Sequence, residues 1–370
     1  MVTYPEDWTP GQLRDFGYIQ MCRRIFQSQT KAFGAIPFYK ISTFGGKADA
    51  YISQELYEKY KMLYPYPEKG DVLLSAAGTV GKAVIFDGKD SYFQDSNIVW
   101  LKVDKDAVDR NFLWWFYRSY PWDALEGTTI QRLYNNIILN TDIHLPSLPE
   151  QEEIARTLSE FDTYIDDLTE LIEKKKGIRD GALEDLVSGR TRLDGYEYEW
   201  QEGKIGDILK ILHGKNQREV ESYSGKYPIL GTGGIIGKAT EFLCDWECVL
   251  IGRKGTIDNP MYMNTPFWTI DTLYYSKPTD NQCVKFQYYL FCTINWYDYT
   301  ESSGRPSLAK KVIEAIPIRI PRYEEQVKIA EVLTAMDKEI ADLETEREKI
   351  IQIREGAMDD LLTGRVRLTT

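Results

Sequence analysis

A chain of 370 residues with 43% hydrophobic side chains is too long for one ordinary core, and it holds no run of 18 apolar residues, which excludes a membrane-spanning helix. Two histidines, His144 and His213, are too few for a histidine-rich metal centre or a conventional catalytic triad, and five cysteines without CxxC spacing fit reduced thiols in cytoplasm. A net charge of -12 argues against a nucleic-acid partner only if it is spread evenly, and it is not: residues 146–193 (net -5) and 322–370 (net -4) hold nine of the twelve charges.

Residues 1–145 form a first, nearly neutral segment. Its start, Met1-Val2-Thr3-Tyr4-Pro5-Glu6-Asp7, lacks the basic and apolar regions of a secretion signal. Asp71-Val72-Leu73-Leu74-Ser75 predicts a short buried strand that ends at a glycine turn, and residues 111–117 predict an aromatic-rich buried helix. Residues 146–193 predict one long helix. Ile154, Leu158, Phe161, Ile165, Leu168 and Ile172 step by 4, 3, 4, 3, 4, the spacing of a two-stranded seam. Residues 194–320 repeat the mixed pattern, with a strand over 247–251 and a helix over 284–290. Residues 321–370 then predict a second long helix. Ile329, Leu333, Met336, Ile340 and Leu343 step identically, and Ile350, Ile353, Ala357 and Leu361 continue the apolar face. Pro146, Pro149 and Pro321 stand before the helix starts, while Gly189 and Gly364 suit left-handed caps. A helix of about 36 residues spans roughly 54 Å.

The two helical segments are copies of one another. Glu150-Gln151-Glu152-Glu153-Ile154-Ala155 aligns with Glu325-Gln326-Val327-Lys328-Ile329-Ala330 at an offset of 175, and the match runs without a gap to Leu193 and Leu368. About half of its positions are identical, including Asp162/Asp337, Arg179/Arg354 and Gly189-Arg190/Gly364-Arg365. The larger segments share only landmarks, such as Trp8/Trp200 and Gly78-Thr79-Val80/Gly255-Thr256-Ile257. The resulting expectation is an α+β protein: two similar α/β domains (1–145 and 194–320), separated by two long helices (146–193 and 321–370) that pair as an antiparallel coiled coil. The competing view lays each helix only on its own domain.

This pattern resembles the specificity subunit of Type I restriction–modification systems. The resemblance is carried by Ile143-His144-Leu145-Pro146-Ser147-Leu148-Pro149-Glu150-Gln151, by Ile316-Pro317-Ile318-Arg319-Ile320-Pro321, by the helix ends Leu186-Val187-Ser188-Gly189-Arg190 and Leu361-Leu362-Thr363-Gly364-Arg365, and by the turn Ala77-Gly78-Thr79-Val80-Gly81-Lys82. The resemblance implies two target-recognition domains, each reading half of a split site on double-stranded DNA in the major groove. It also implies helices that set the spacing and dock two modification subunits, which use S-adenosylmethionine, with ATP-driven, magnesium-dependent motor-nuclease subunits joining for restriction. The chain itself is then not an enzyme, binds no cofactor and needs no membrane.

Sharper readings compete at several places. Asn259-Pro260-Met261-Tyr262 approaches the Asn-Pro-Pro-Tyr tetrapeptide of adenine methyltransferases, but a proline turn accounts for it better. Residues 76–83 and 232–239 suggest a P-loop, yet both lack the leading glycine and end in alanine where a hydroxyl is needed. Cys244 and Cys248 have no further ligands to complete a zinc set and read as structural thiols.

DNA contacts are therefore expected from polar loop residues of the divergent segments. Arginine and lysine match guanine, and asparagine and glutamine match adenine. The candidates are Arg23, Arg24, Thr79, Lys82, Thr128, Thr129, Gln131 and Arg132 in the first segment. In the second they are Lys215, Asn216, Gln217, Arg218, Arg253, Lys254, Ser303, Arg305 and Ser307. Two other functions remain open at this point: a self-contained adenine methyltransferase, and a coiled-coil scaffold without a nucleic-acid role.

Overall fold

The structure, a computed structural model, describes residues 3–122, 132–300, 304 and 306–368. It contains two compact units, Met1–Leu168 with Glu346–Thr370, and Thr169–Thr345. The chain begins with β1 (Thr9–Gln12), α1 (Leu13–Phe16), β2 (Gly17–Met21), β3 (Ile36–Tyr39), β4 (Ala50–Ile52) and α2 (Gln54–Leu63). Then come β5 (Val72–Ser75), β6 (Ala83–Ile85), β7 (Tyr92–Phe93), β8 (Ile98–Val103), α3 (Arg110–Ser119), α4 (Asn135–Leu139), β9 (Asp142–Leu145) and the long α5 (Leu148–Ser188). After it follow β10 (Gln201–Lys204), α6 (Ile205–Ile208), β11 (Leu209–His213), β12 (Tyr227–Gly231), β13 (Gly234–Ala239) and β14 (Cys248–Gly252). The chain continues through β15 (Met261–Met263), β16 (Trp268–Thr269), β17 (Leu273–Pro278), α7 (Val284–Thr293), α8 (Lys310–Ala315), β18 (Pro317–Ile320) and the long α9 (Tyr323–Leu362).

Both units use one topology. The first has a four-stranded antiparallel sheet, β2-β8-β5-β6, and a three-stranded sheet, β4-β3-β7, whose β3 and β7 are parallel. The second repeats this as β11-β17-β14-β15 and β13-β12-β16, with β12 and β16 parallel. In each, the first strand pairs with the last: β1 with β9, and β10 with β18. Equivalent aromatic helices fill the cores. Phe112, Trp115 and Tyr117 of α3 are buried in the first unit, and Phe286, Tyr289 and Phe291 of α7 in the second. The Asp109 carboxylate caps α3 by accepting from the Phe112 amide at 2.8 Å.

The long helices do two jobs. Ile154, Ala155 and Leu158 of α5 enter the first core beside Leu361 and Leu362 of α9. In the second unit Ile329, Ala330 and Leu333 of α9 meet Leu183, Leu186 and Val187 of α5. Each helix therefore lies on a domain and also pairs with its copy. The pairing is antiparallel: Tyr164 donates to Glu346 and Arg354 to Asp162 in the first unit, while Lys175 meets Glu339 and Arg179 meets Asp337 in the second. Asp162–Arg354 and Asp337–Arg179 involve the same two repeat positions with the helices exchanged.

Leu168, Ile172 and Ile340 are buried, whereas Phe161, Ile165, Met336 and Leu343 are half-buried. Two details differ from the sequence expectation. Pro149 sits inside the first turn of α5 rather than before it, where its missing N–H costs nothing. Ile353 is 53% exposed and does not continue the seam, and neither does its repeat mate Ile178 at 51%. A straight helix drifts about 20° per heptad from a 3.5-residue repeat, so the apolar stripe leaves the contact and Arg354 turns inward instead. Among the described residues no helix is long and apolar enough to cross a membrane.

Candidate nucleic-acid interface

In the first unit two of the basic candidates, Arg24 and Arg132, meet the tight loop joining β7 to β8. Arg24, three residues past β2, donates Nε to Asp95 Oδ2 at 2.9 Å. Arg132 donates Nη2 to the Ser96 carbonyl at 3.2 Å, and its backbone bridges Ala77 beside the glycine turn after β5. The loop joins that turn directly, because the Ala76 amide donates to the Asn97 carbonyl at 2.7 Å. Within the turn, the buried Ser75 hydroxyl donates to the Thr79 carbonyl and accepts from the Lys82 amide at 2.8 Å. This leaves the Thr79 side chain exposed. Lys82 is also exposed, but its Nζ donates to the Phe44 carbonyl at 2.6 Å. Arg23 does not join the group: its guanidinium lies over the Tyr64 ring past α2, 5.3 Å from the centroid.

The second unit gathers different residues on the equivalent loop, between β16 and β17. Arg253 donates its amide to the Thr272 carbonyl at 2.8 Å and Nη1 to the Asp271 carbonyl at 3.3 Å. The Lys215 amide donates to the Thr269 carbonyl at 2.8 Å, and the Lys215 carbonyl accepts from Trp268 Nε1 at 3.0 Å. Asn216, Gln217 and Arg218 continue as a turn, exposed at Asn216 and Arg218 and half-buried at Gln217, in which Asn216 Oδ1 accepts from the Arg218 amide at 3.0 Å. Lys254 bridges Ser307 exactly where Ala77 bridges Arg132 in the first unit. Thr128, Thr129, Gln131, Ser303 and Arg305 lie outside the described residues.

The other motifs take structural places. Tyr262, the last residue of the methyltransferase-like tetrapeptide, lies in β15; its hydroxyl donates to Glu247 and its ring carries the Lys285 ammonium 3.9 Å from the centroid. Burial and the Glu247 hydrogen bond both push its phenol above the ordinary value. The glycines of residues 232–239 form the β12–β13 hairpin, without the helix that a P-loop feeds. Cys244 and Cys248 are buried with their sulfurs 3.9 Å apart, and the described residues hold no metal-ligating cluster. His144 stacks on Tyr4 at 3.7 Å in β9.

Sequence reading missed the residues that hold the helices to the domains. Gln151 is buried, accepts from the Asp109 amide at 2.8 Å, and donates to the Ala107 and Pro146 carbonyls. Gln326 repeats this at the entry of α7, accepting from the Cys283 amide at 3.0 Å and donating to Pro321. Beside them, Glu150 takes a bidentate ion pair from Arg367, and Glu325 takes one from Arg192 at 2.7 and 2.8 Å. These hydrogen bonds and ion pairs together explain the recurring Glu-Gln and the arginine two residues past Gly-Arg. In the sequence they showed only within the repeat and the family-like motif, with no sign of what they bind.

Residues 5–178 and 197–353 match the family described as the Type I restriction modification DNA specificity domain. A protein of Haemophilus influenzae named as a type I restriction enzyme specificity subunit is 52% identical over 159 residues, which is 43% of this chain and 41% of that one. This chain thus aligns with less than half of that relative. The specificity subunit named MjaX, of Methanocaldococcus jannaschii, is 25% identical over 99% of this chain and 95% of its own. The crystal structure of a Type I restriction–modification S subunit from M. genitalium shares the fold, with a TM-score of 0.65 at 21% identity over 98% of this chain and 97% of that one. With most of its length matched in two copies, the chain belongs to the Type I restriction–modification specificity-subunit family.

Proposed function

We propose that this chain reads DNA and catalyses nothing on it. Each unit contacts one half of a split site through the major groove, while α5 and α9 set the spacing and dock two modification subunits. S-adenosylmethionine, and ATP with magnesium, belong to the partner subunits, the latter to motor-nuclease subunits that join for restriction in the cytoplasm. One observation carries this reading: arginine side chains are held at the equivalent loop of each unit, yet from different positions, Arg24 and Arg132 in the first and Arg253 in the second. Like scaffolds with unlike basic fingers suit two unlike base sequences. The engaged Tyr262 hydroxyl disfavours a self-contained methyltransferase, whose tetrapeptide must grip a base.

The test compares the chain alone with the chain plus its modification subunits, using DNA and labelled S-adenosylmethionine. Methylation is expected only with the subunits, on both strands of a split motif with unspecified central bases, and binding should weaken steeply with salt. Methylation by the chain alone, or a continuous palindromic motif, would overturn the proposal.

A further inference from the structure

We infer that Arg24 reads a guanine in the half-site contacted by the first unit, with Asp95 as the positioning residue that aims it; this rests on the DNA-reading role proposed above. The inference begins with how Arg24 is held. Its Nε donates to Asp95 Oδ2, and among the described residues its guanidinium has no other partner. The Arg24 side chain is 61% exposed and that of Asp95 only 18%. One end of the ion pair is therefore built into the protein while the other faces outward. A guanidinium tied at Nε keeps both terminal nitrogens, whose parallel N–H bonds span O6 and N7 of guanine. Adenine presents an amino group where guanine has O6, so the same fork meets a donor there and is rejected.

The support beneath the pair is stiff. Ser96, next to Asp95, has φ of 54°, a left-handed backbone that a non-glycine residue keeps only when its surroundings enforce it. Here they do. The Ile98 amide donates to the Gln94 carbonyl at 3.1 Å, and the Gln94 amide to the Tyr39 carbonyl at 2.9 Å. Gln94 Oε1 accepts from the Ile41 amide at 2.9 Å, and Arg132 closes on the Ser96 carbonyl. An arginine fixed in this way loses less side-chain freedom on binding than a free one, which sharpens discrimination between bases.

Among the described residues the second unit lacks this device. The third residue past β11 is Asn216, where the third past β2 is Arg24. Asp271 stands in the equivalent loop, but Arg253 reaches its carbonyl rather than its carboxylate. The guanine preference set by Arg24 therefore belongs to one half-site only.

The experiment uses the chain assembled with its modification subunits on a randomised DNA pool, with the methylated motif read by sequencing. Arg24→Ala should reduce the preference for guanine at one position of one half-site by about tenfold or more, leaving the other half unchanged. Arg24→Lys, which keeps the charge but not the fork, should relax the same position less than Arg24→Ala while retaining overall affinity. Asp95→Ala should relax that position and no other, and the double variant should go no further than Arg24→Ala. Placing 7-deazaguanine there, which lacks the N7 acceptor, should weaken the wild-type complex but not the Arg24→Ala complex. An unchanged motif in Arg24→Ala would overturn the guanine assignment while the split wild-type motif leaves the DNA-reading role standing. Uniform weakening on all sequences in Asp95→Ala would overturn the positioning role. A wild-type motif that is not split would overturn the underlying reading, and this inference with it.

Discussion

Replacing Arg192 by alanine tests whether the ion pair at the entry of α9 fastens the second unit. Glu325 is 3% exposed, and Arg192 meets both its oxygens, at 2.7 and 2.8 Å. Arg192 also donates to the Tyr198 carbonyl at 3.0 Å and lies 5.7 Å from the Trp200 ring centroid. Removing one partner of a buried pair costs about 3–5 kcal/mol, because the remaining charge stays desolvated. Arg192 is 29% exposed, so water reaches the vacated side and the lower end of that range, about 3 kcal/mol, is expected. Replacing both partners by apolar residues of similar size, Arg192→Met with Glu325→Leu, removes the stranded charge and should recover most of the loss. Urea unfolding followed by tryptophan fluorescence reads both effects, since Trp200 neighbours the pair. A single variant costing less than about 1 kcal/mol, or a double variant as unstable as the single, would refute the reasoning.

Gly189 and Gly364 have φ of 73° and 70°, so alanine at either costs about 1–2 kcal/mol; Gly364→Ala should cost more in thermal unfolding, because its Cβ would lie 2.4 Å from Pro5 whereas that of Gly189 meets Trp200 at 3.3 Å. Arg253→Ala with Lys254→Ala should weaken DNA binding by the assembled complex and alter base preference at one half-site, the one that Arg24 does not affect, as methylation mapping would reveal. A fragment ending after Leu193 should dimerise in sedimentation, since Arg179 and Arg192 stand at the repeat positions of Arg354 and Arg367, and its methylated site should become symmetric. Lys102 and Lys105 hold the Glu68 carboxyl down to about 2 from an ordinary 4.5. A depressed carboxyl stabilises the fold above its unfolded value, so the small stability gap between wild type and Glu68→Gln should shrink as pH falls from 4.5 towards 2.

The helices were legible because a period of 3.5 residues is local information: Ile154, Leu158, Leu168 and Ile172 announce a buried stripe without reference to the rest of the chain. Strands β5 and β14 showed for the same reason, as apolar runs ending at glycine turns. Ile353 was misread because periodicity describes a stripe but not where a partner helix stops touching it. Asp95 was invisible, since its importance comes from Arg24, 71 residues away. Gln151 and Glu150 looked like ordinary polar residues on a helix, and only long-range contacts with Asp109 and Arg367 explain their burial. The candidate basic residues were found by type and position in loops, but the meeting of Arg24 and Arg132 on one loop, and of Arg253 with its equivalent, depends on sheet topology, which no local pattern encodes.

The division of the chain into units has a consequence for its synthesis. The second unit is one continuous stretch, residues 169–345, whereas the first joins residues 1–168 to residues 346–370. As the chain leaves the ribosome, Ile154 and Leu158 emerge long before Leu361 and Leu362, with which they share a core. At about 5–20 residues per second, the first unit waits roughly 10–40 s for those partners. During this interval its apolar stripe lacks those partners, while in the second unit Leu183, Leu186 and Val187 wait a shorter time for Ile329 and Leu333. The domain translated first is thus the last to be finished, and its exposed helix is the point at which a nascent chain is open to chaperones or to premature pairing with another copy.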